Sequence, residues 1–323
     1  MDFAEMISTV AVTPSYRALR EGAAWLDLAA RGKIRATGED RPRLLHAMST
    51  NHIEQLRPGD GCYAFFLNAQ GRILADANIL CFEDALLLDT EPETRVKLFE
   101  HLERYIIADD VTIEDETSRI VTISIEGPEA VQALQKMGAP VPLEPYSWLA
   151  WENRTVARIS STGSVGFFIF LPAAERDAFV SRLTLPAATP DDARTVRIEN
   201  AHPRYGVEIT DRNLVQETGQ LHAVHYQKGC YLGQEIVERV RSQAQIHRKL
   251  RRVEIATDDP PSAGTKTEQL EIASAAFSPA LQKTVALAYV RTPFAEPGTE
   301  LTVDGALAVV VSDPSTAPHP LEK

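Results

Sequence analysis

Cys230 sits in Lys228-Gly229-Cys230-Tyr231-Leu232-Gly233-Gln234-Glu235, the stretch that gathers the most chemistry in the fewest residues. Gly229 and Gly233 bracket a thiol and a phenol, and a helix-like run from Gln234 to Gln243, through Arg239, follows at once. A cysteine in a tight turn near a helix N-terminus meets free backbone N–H groups and the positive end of the helix dipole, which favour a thiolate. Lys228 adds a positive charge two residues away. On that reading Cys230 is a reactive centre, and Tyr231 and the glycines shape its turn. The plain alternative is a buried structural cysteine in a glycine-rich turn. Gln234 and Glu235 also suit an ordinary first helical turn, where an acid complements the dipole.

Residues 73–82 hold the second candidate. Ile73, Ala75, Ala77, Ile79 and Cys81 alternate with Leu74, Asp76, Asn78, Leu80 and Phe82, and successive strand residues point to opposite faces. The first set is apolar throughout. The second carries Asp76 and Asn78 in the middle of an apolar face. On a solvated sheet these are surface residues. On a sheet that lines a pocket they are directional groups that fix a heteroaromatic ligand. A carboxylate suits a pterin, whose ring N–H and adjacent amino group can donate two hydrogen bonds to it. Glu199 is a second candidate for that part.

The octapeptide resembles the signature of the YgfZ family, folate-binding proteins that assist assembly or repair of iron–sulfur clusters. Other blocks follow in the same order as in that family. Asn213-Leu214-Val215-Gln216-Glu217-Thr218 resembles its Asn-Leu-x-x-Glu segment. Arg197-Ile198-Glu199 and Pro203-Arg204-Tyr205-Gly206 resemble its Arg-x-Glu and Pro-x-x-Gly block. Leu67-Asn68-Ala69-Gln70-Gly71-Arg72-Ile73-Leu74-Ala75-Asp76 looks like the Gly-x4-Asp strand shared with the glycine-cleavage T-protein, an aminomethyltransferase. The resemblance implies a tetrahydrofolate site that takes in Asp76, Asn78, Arg197, Glu199 and Glu217, with Glu199 on the pterin. It also implies cluster-assembly or client proteins as partners. The T-protein family has paired aspartates in its strand, whereas this chain reads Ala75-Asp76. That departure speaks against aminomethyl transfer and leaves folate binding intact.

The elements that must position these groups read as α+β. The resemblance implies two antiparallel-sheet and helix subdomains around a central pocket, with a small C-terminal β-barrel. Expected helices run over 16–28, 44–51, 93–105, 129–137 and 173–183. Expected strands run over 63–67, 73–82, 85–88, 111–114, 120–125, 155–160 and 166–171. Residues 185–192 read as a loop or linker. Five short strands, starting at 250, 272, 284, 300 and 306, are separated by Pro- and Gly-containing loops, a barrel or sandwich pattern. The expected domains are 14–245, with subdomains 14–118 and 119–245, then a barrel over 246–312. A short leader precedes them, and a disordered tail over 313–323 follows.

Composition narrows the function further. The chain has 323 residues, 44% of them hydrophobic, and a net charge of -12. That acidity disfavours wholesale binding to nucleic acid or anionic membrane. No apolar run approaches the roughly 18 residues of a membrane span, and no signal pattern opens the chain, so a cytoplasmic protein is expected. Cys62, Cys81 and Cys230 form no Cys-x-x-Cys, which argues against a disulfide framework or a cluster held by this chain alone. His222 and His225 stand three apart with His202 upstream, but no acid joins them in a metal-ligand pattern, and no metal is expected. Nucleotide-loop and serine-elbow motifs are absent. Arg239, Arg241, His247, Arg248, Lys249, Arg251 and Arg252 form a basic cluster with two readings. One is a solvated helix end. The other is an anion site for a folate polyglutamate tail, a tRNA backbone or an acidic partner.

The leading expectation is a tetrahydrofolate-binding protein that assists iron–sulfur assembly or repair, with Cys230 reactive. One alternative is a folate-dependent aminomethyltransferase resembling the T-protein. Another is a non-catalytic adaptor without folate binding.

Overall fold

Thr13 starts the first helix and Gly22 ends it. The Thr13 hydroxyl accepts the Tyr16 N–H, and Pro14 takes the first helical position of α1 (Pro14–Glu21). The expected continuation to Leu28 does not form. Beyond Gly22 the chain extends as β1 (Ala24–Asp27) and pairs antiparallel with Ile123–Glu126. Its first strand therefore lies in the sheet of the second half. The computed structural model describes residues 12–242 and 246–313. Gln243, most of the expected leader and the expected tail beyond Asp313 lie outside the described residues.

The first half continues with β2 (Gly32–Thr37), α2 (Arg41–Met48), β3 (Gly61–Leu67), β4 (Ile73–Cys81), β5 (Leu86–Thr90), α3 (Arg95–Glu103) and β6 (Thr112–Asp115). The second supplies β7 (Ile120–Glu126), α4 (Ala130–Lys136), β8 (Trp148–Trp151), β9 (Arg154–Ala157), β10 (Gly166–Pro172) and α5 (Arg176–Val180). Then come α6 (Pro190–Glu199), α7 (Val215–Thr218) and α8 (Gln234–Ser242). The C-terminal unit is β11 (Arg248–Ile255), β12 (Leu270–Ser278), β13 (Lys283–Arg291), β14 (Glu300–Val303) and β15 (Ala306–Ser312). These strands make three five-stranded antiparallel sheets, ordered β3-β4-β5-β2-β6, β1-β7-β10-β9-β8 and β12-β13-β11-β15-β14.

The strand alternation decides the layering. Ala75, Ala77 and Ile79 of β4 pack with Leu44, Leu45 and Met48 of α2 and Leu98 and Leu102 of α3. The opposite face turns Leu80 and Leu87 onto Ala157, Phe168 and Phe170 of the second sheet. The far side of that sheet is covered by Ala133 and Leu134 of α4 and by Phe179 of α5. The order is helices, sheet, sheet, helices. The residues read as a linker before 192 instead lead into α6. Pro190 takes its first turn, and the Thr189 hydroxyl accepts the Asp192 N–H. Ile198 of α6 packs into the C-terminal sheet with Leu250 and Val285. That sheet bends at two register shifts, between Arg252 and Val253 and between Ile272 and Ser274.

Candidate functional site

Across the first sheet, the register lines up four polar side chains. Tyr63 stands opposite Asn78, Asn78 opposite Asp89, and Asp89 opposite Lys33. All four belong to the face turned toward the second sheet. The Asn78 amide donates to Asp89 over 3.0 Å, and the Lys33 ammonium lies 3.3 Å from the same carboxylate. Arg31 completes this cluster, with Nε 2.9 Å from Asp89 Oδ2 and a guanidinium nitrogen on Glu91. Arg204 reaches Glu91 and Glu93 at 2.9 and 2.8 Å. Burial works against the Asp89 carboxylate, but Arg31 and Lys33 hold it below the ordinary range.

Next to this network lies a cavity of about 560 Å³, where the two sheets, α6 and the segment 202–222 meet. Asp76 and Asn78 both line it and are 6% and 7% exposed, so the pocket-facing reading of that strand face is the one the fold adopts. Tyr63 donates its phenolic hydrogen to Asp76 Oδ2 over 2.7 Å, while Asp76 Oδ1 has no hydrogen-bond partner among the described residues. Burial first, then the Glu91 carboxylate, push the Asp76 carboxyl up to about 7, against the pull of Tyr63, Arg31 and Arg204. Ala75 points the other way, into the core under α2 and α3.

The remaining wall is aromatic and imidazole-rich. His222 stacks on Tyr63 with ring centroids 5.3 Å apart, and its Nε2 lies 3.0 Å from the Tyr146 hydroxyl. Tyr146 has a φ of 63°, unusual for a residue with a side chain. Burial lowers both His202 and His222 to about 4, so both are neutral imidazoles near pH 7. Phe168 adds an apolar surface with the Arg31 guanidinium 5.5 Å from its ring centroid. Tyr63, Arg31, Glu91, Arg204, His202 and His222 were not singled out for this wall from sequence.

Of the other expected ligand residues, Arg197 lines the cavity but is committed to Glu208, with two hydrogen bonds of 2.7 and 2.8 Å. Glu199 is a correction. It does not line the cavity. Its Oε1 accepts the Tyr16 hydroxyl at 2.5 Å and the Ser278 hydroxyl at 2.6 Å, fastening α6 to α1 and β12. The reason is helical geometry. Residues two apart on a helix lie about 200° around its axis, so Arg197 and Glu199 face opposite ways. Glu217 is a second correction. It accepts the Leu214 N–H at 3.1 Å and the Arg248 guanidinium at 3.2 Å, capping α7 and joining it to β11.

The cysteine motif forms a separate feature. Cys230 and Gly229 are exposed. The helix begins at Gln234, so Cys230 stands ahead of it in a turn instead of at its first N–H groups. The Lys228 ammonium is engaged elsewhere, and among the described residues no contact joins it to Cys230. Lys228 is buried, and its ammonium donates to the carbonyls of His46, Ser49 and Asn51, the latter two at 2.6 and 2.7 Å. Those acceptors lie at and just past the end of α2, where carbonyls lack helical partners. Tyr231 is buried, with its ring centroid 4.9 Å from the Lys228 ammonium. Gln234 accepts the Tyr231 N–H, while Glu235 and Arg239 are exposed on α8. Gly233, at φ 84°, lies against the β3–β4 turn, where a Cβ would fall 2.6 Å from the Asn68 carbonyl.

The basic cluster is broken up by acids, some local and some from other elements. Arg241 pairs with Glu238, Arg248 with Glu217 and Glu271, Arg251 with Asp313, and Arg252 with Glu254. Arg239, His247 and Lys249 have no such partner among the described residues. Of the two readings of this cluster, the anion site therefore has no continuous cationic surface among the described residues, because alternation along β11 sends its cations to different neighbours. Among the described residues, no group of three or more His, Cys, Asp or Glu is placed to hold a metal ion. None of the described helices is long and apolar enough to cross a membrane.

Comparison with known proteins now places this architecture. Residues 3–228 match the GCVT N-terminal domain, and residues 248–314 match the glycine cleavage T-protein C-terminal barrel domain. The chain belongs to the glycine cleavage T-protein family. An aminomethyltransferase of Rubrobacter xylanophilus is 29% identical over 321 residues, covering 94% of this chain and 86% of that protein. A chloroplastic protein of Arabidopsis thaliana, named as a transferase, is 27% identical over 256 residues. That alignment covers 76% of this chain and 59% of the plant protein's length. The crystal structure of the glycine cleavage system aminomethyltransferase T from Bartonella henselae superposes with a TM-score of 0.86 at 20% identity. It covers 97% of this chain and 91% of that one. The fold is therefore the T-protein-like α+β arrangement with a C-terminal barrel-type domain.

Proposed function

We propose that this T-protein-family chain binds a reduced folate in the intersheet cavity and transfers a one-carbon unit there, as an aminomethyltransferase does. The observation that carries this reading is the division of labour between residues 75 and 76. Asp76 lines the cavity with one carboxyl oxygen unpartnered among the described residues, and Ala75 is buried in the core. A second aspartate at position 75 would not face the cavity in this fold. Its absence therefore weighs less against transfer than the sequence pattern suggests.

The residues present fit a pterin. An orphaned buried acceptor calls for a donor, and the pterin edge carries adjacent N–H donors. The cavity volume lies within the range of small-molecule sites. Tyr63, His222 and Phe168 offer ring and apolar surfaces to a flat heterocycle. When bound, a reduced folate would supply the nitrogens that accept the one-carbon unit. Asp76 would hold the ligand and manage a proton near neutral pH, Tyr63 would fix the carboxyl, and Asn78 would anchor the neighbouring wall.

Calorimetric titration with tetrahydrofolate tests the reading. Saturable binding is expected, weakened about tenfold or more in Asp76→Asn, because a charge-assisted hydrogen bond is worth roughly 1.5–3 kcal/mol. No binding by the native chain would overturn it. Turnover with an aminomethyl donor then separates transfer from binding alone.

A second reading rests on Cys230. The exposed thiol follows the turn that Lys228 pins and is not among the residues lining the cavity, and the proposed one-carbon transfer does not use it. The YgfZ-like motif supports a role in iron–sulfur assembly or repair in client proteins. Under this reading Cys230→Ala leaves tetrahydrofolate affinity intact and abolishes support of cluster enzymes in cells. Under the first reading it leaves turnover intact.

A further inference from the structure

Glu126 is wholly buried at the end of β7. Among the described residues it pairs with no cation and accepts six hydrogen bonds. Its Oε1 takes the Ser124 hydroxyl at 2.5 Å, the Ser161 N–H at 2.9 Å and the Ser161 hydroxyl at 2.7 Å. Its Oε2 takes the Ser160 hydroxyl at 2.7 Å, the Thr162 N–H at 2.9 Å and the Thr162 hydroxyl at 2.5 Å. Five of the six donors come from three consecutive residues, and Ser160, Ser161, Thr162 and the following Gly163 all line the intersheet cavity. Nothing in the proposed chemistry uses Glu126 directly.

We propose that Glu126 is a positioning residue for ligand binding, the template on which the cavity wall at 160–163 is built. The statement rests on the folate reading. Two backbone N–H groups and three hydroxyls of a short loop satisfy themselves on one carboxylate, so the loop has one arrangement in which all five donors are used. The far side of the loop is tied as well. Asn200 donates to the Thr162 carbonyl at 2.9 Å and to the Ser164 hydroxyl at 3.0 Å, joining the wall to the end of α6. Gly163 passes so close to this helix end that a Cβ would fall 2.8 Å from the His202 Cβ. His202 is itself part of the cavity wall. Moving the loop off Glu126 therefore displaces two stretches of the wall together.

Glu126→Gln tests this. The amide nitrogen cannot accept, so one side of the template would present N–H to a group of donors and the loop would shift. The readout is tetrahydrofolate affinity by calorimetry, set against melting temperature. The comparison variant is Leu134→Ala, a core truncation on α4 away from the cavity. The expected result is about a tenfold or greater loss of affinity in Glu126→Gln, equivalent to about 1.4 kcal/mol. Leu134→Ala should stay within about twofold of the native chain despite its own drop in melting temperature. Native affinity in a folded Glu126→Gln, or an equal loss in Leu134→Ala, would overturn the proposal. Should Glu126→Gln fail to fold, Thr162→Val removes one donor and keeps the side-chain shape. A loss of about threefold is then expected on the scale of one hydrogen bond, and unchanged affinity would overturn the proposal. A native chain that binds no tetrahydrofolate overturns the folate reading itself, a failure visible before any variant is made.

Discussion

Tyr63 donates to one oxygen of Asp76 over 2.7 Å and leaves the other without a partner among the described residues, in a residue only 6% exposed. This relationship makes the group pH-sensitive. In the folded chain Asp76 keeps its proton up to about pH 7, against 3.8 for the ordinary side chain. Between those values the folded state binds one more proton than the unfolded state, so raising the pH weakens the fold. The contribution is complete below about pH 3.8 and lost as pH rises through about 7. Asp76→Asn carries no such proton. The variant should gain on the native chain by on the order of a few kcal/mol between pH 4 and pH 8. Urea unfolding at several pH values measures this, and parallel stability curves would contradict it.

Glu91 is the second influence on Asp76 after burial, and it can be removed separately. It pairs with Arg31 and Arg204, so Glu91→Gln takes away one negative charge and leaves two cations beside Asp76. The Asp76 carboxyl should then titrate lower. If ligand binding needs the ionised carboxylate, the acid limb of the binding profile moves to lower pH in Glu91→Gln. Calorimetric affinities between pH 5 and pH 8 check the direction. A limb that stays in place, or moves up, would remove Glu91 from the account.

Glu199 separates a structural carboxylate from a ligand. It accepts from Tyr16 and Ser278 and lies 3.4 Å from Arg20. Glu199→Ala should destabilise the chain by about 2–3 kcal/mol, since buried hydroxyls lose their acceptor. Tetrahydrofolate affinity should stay within about twofold of the native value, well under one hydrogen bond. Unfolding and binding are both needed here. A tenfold loss of affinity at unchanged stability would return Glu199 to the pocket.

The same residue shows where the sequence is legible and where it is not. The parity of β4 could be read at once, because the strand period is two and its apolar set is complete. The C-terminal strands could be read because turn residues punctuate them. Arg197 and Glu199 depend on a prior decision. Two apart on a strand they share a face, and on a helix they oppose each other. Thr189, Pro190, Asp191 and Asp192 do spell a helix start, but the proline-rich stretch before them reads as a linker. β2 and its buried Lys33 carry little local signal. Lys33 is placed by pairing with Asp89, 56 positions away, and no local pattern encodes that register. Arg31, Glu91 and Arg204 come from separate loops, and only the tertiary fold brings them together.

Gly233 and Gly71 join the two sequence blocks that carried the family resemblance. Gly71 ends the β3–β4 turn at φ 70°, where a Cβ would lie 2.7 Å from the Ile236 Cβ. Gly233 immediately precedes α8 at φ 84°, with the Asn68 carbonyl as close on its side. Each needs the left-handed region and a bare Cα. Gly233→Ala should therefore destabilise the fold by about 2–4 kcal/mol, combining backbone strain with a clash against a carbonyl that cannot move freely. Cys230→Ala, three residues away, should change stability by under about 0.5 kcal/mol, because the thiol is exposed and makes no bond to the described residues that holds the turn. Urea unfolding of the pair distinguishes framework from chemistry within one octapeptide. A large loss in Cys230→Ala would make the cysteine structural, and the second functional reading would lose its reactive group.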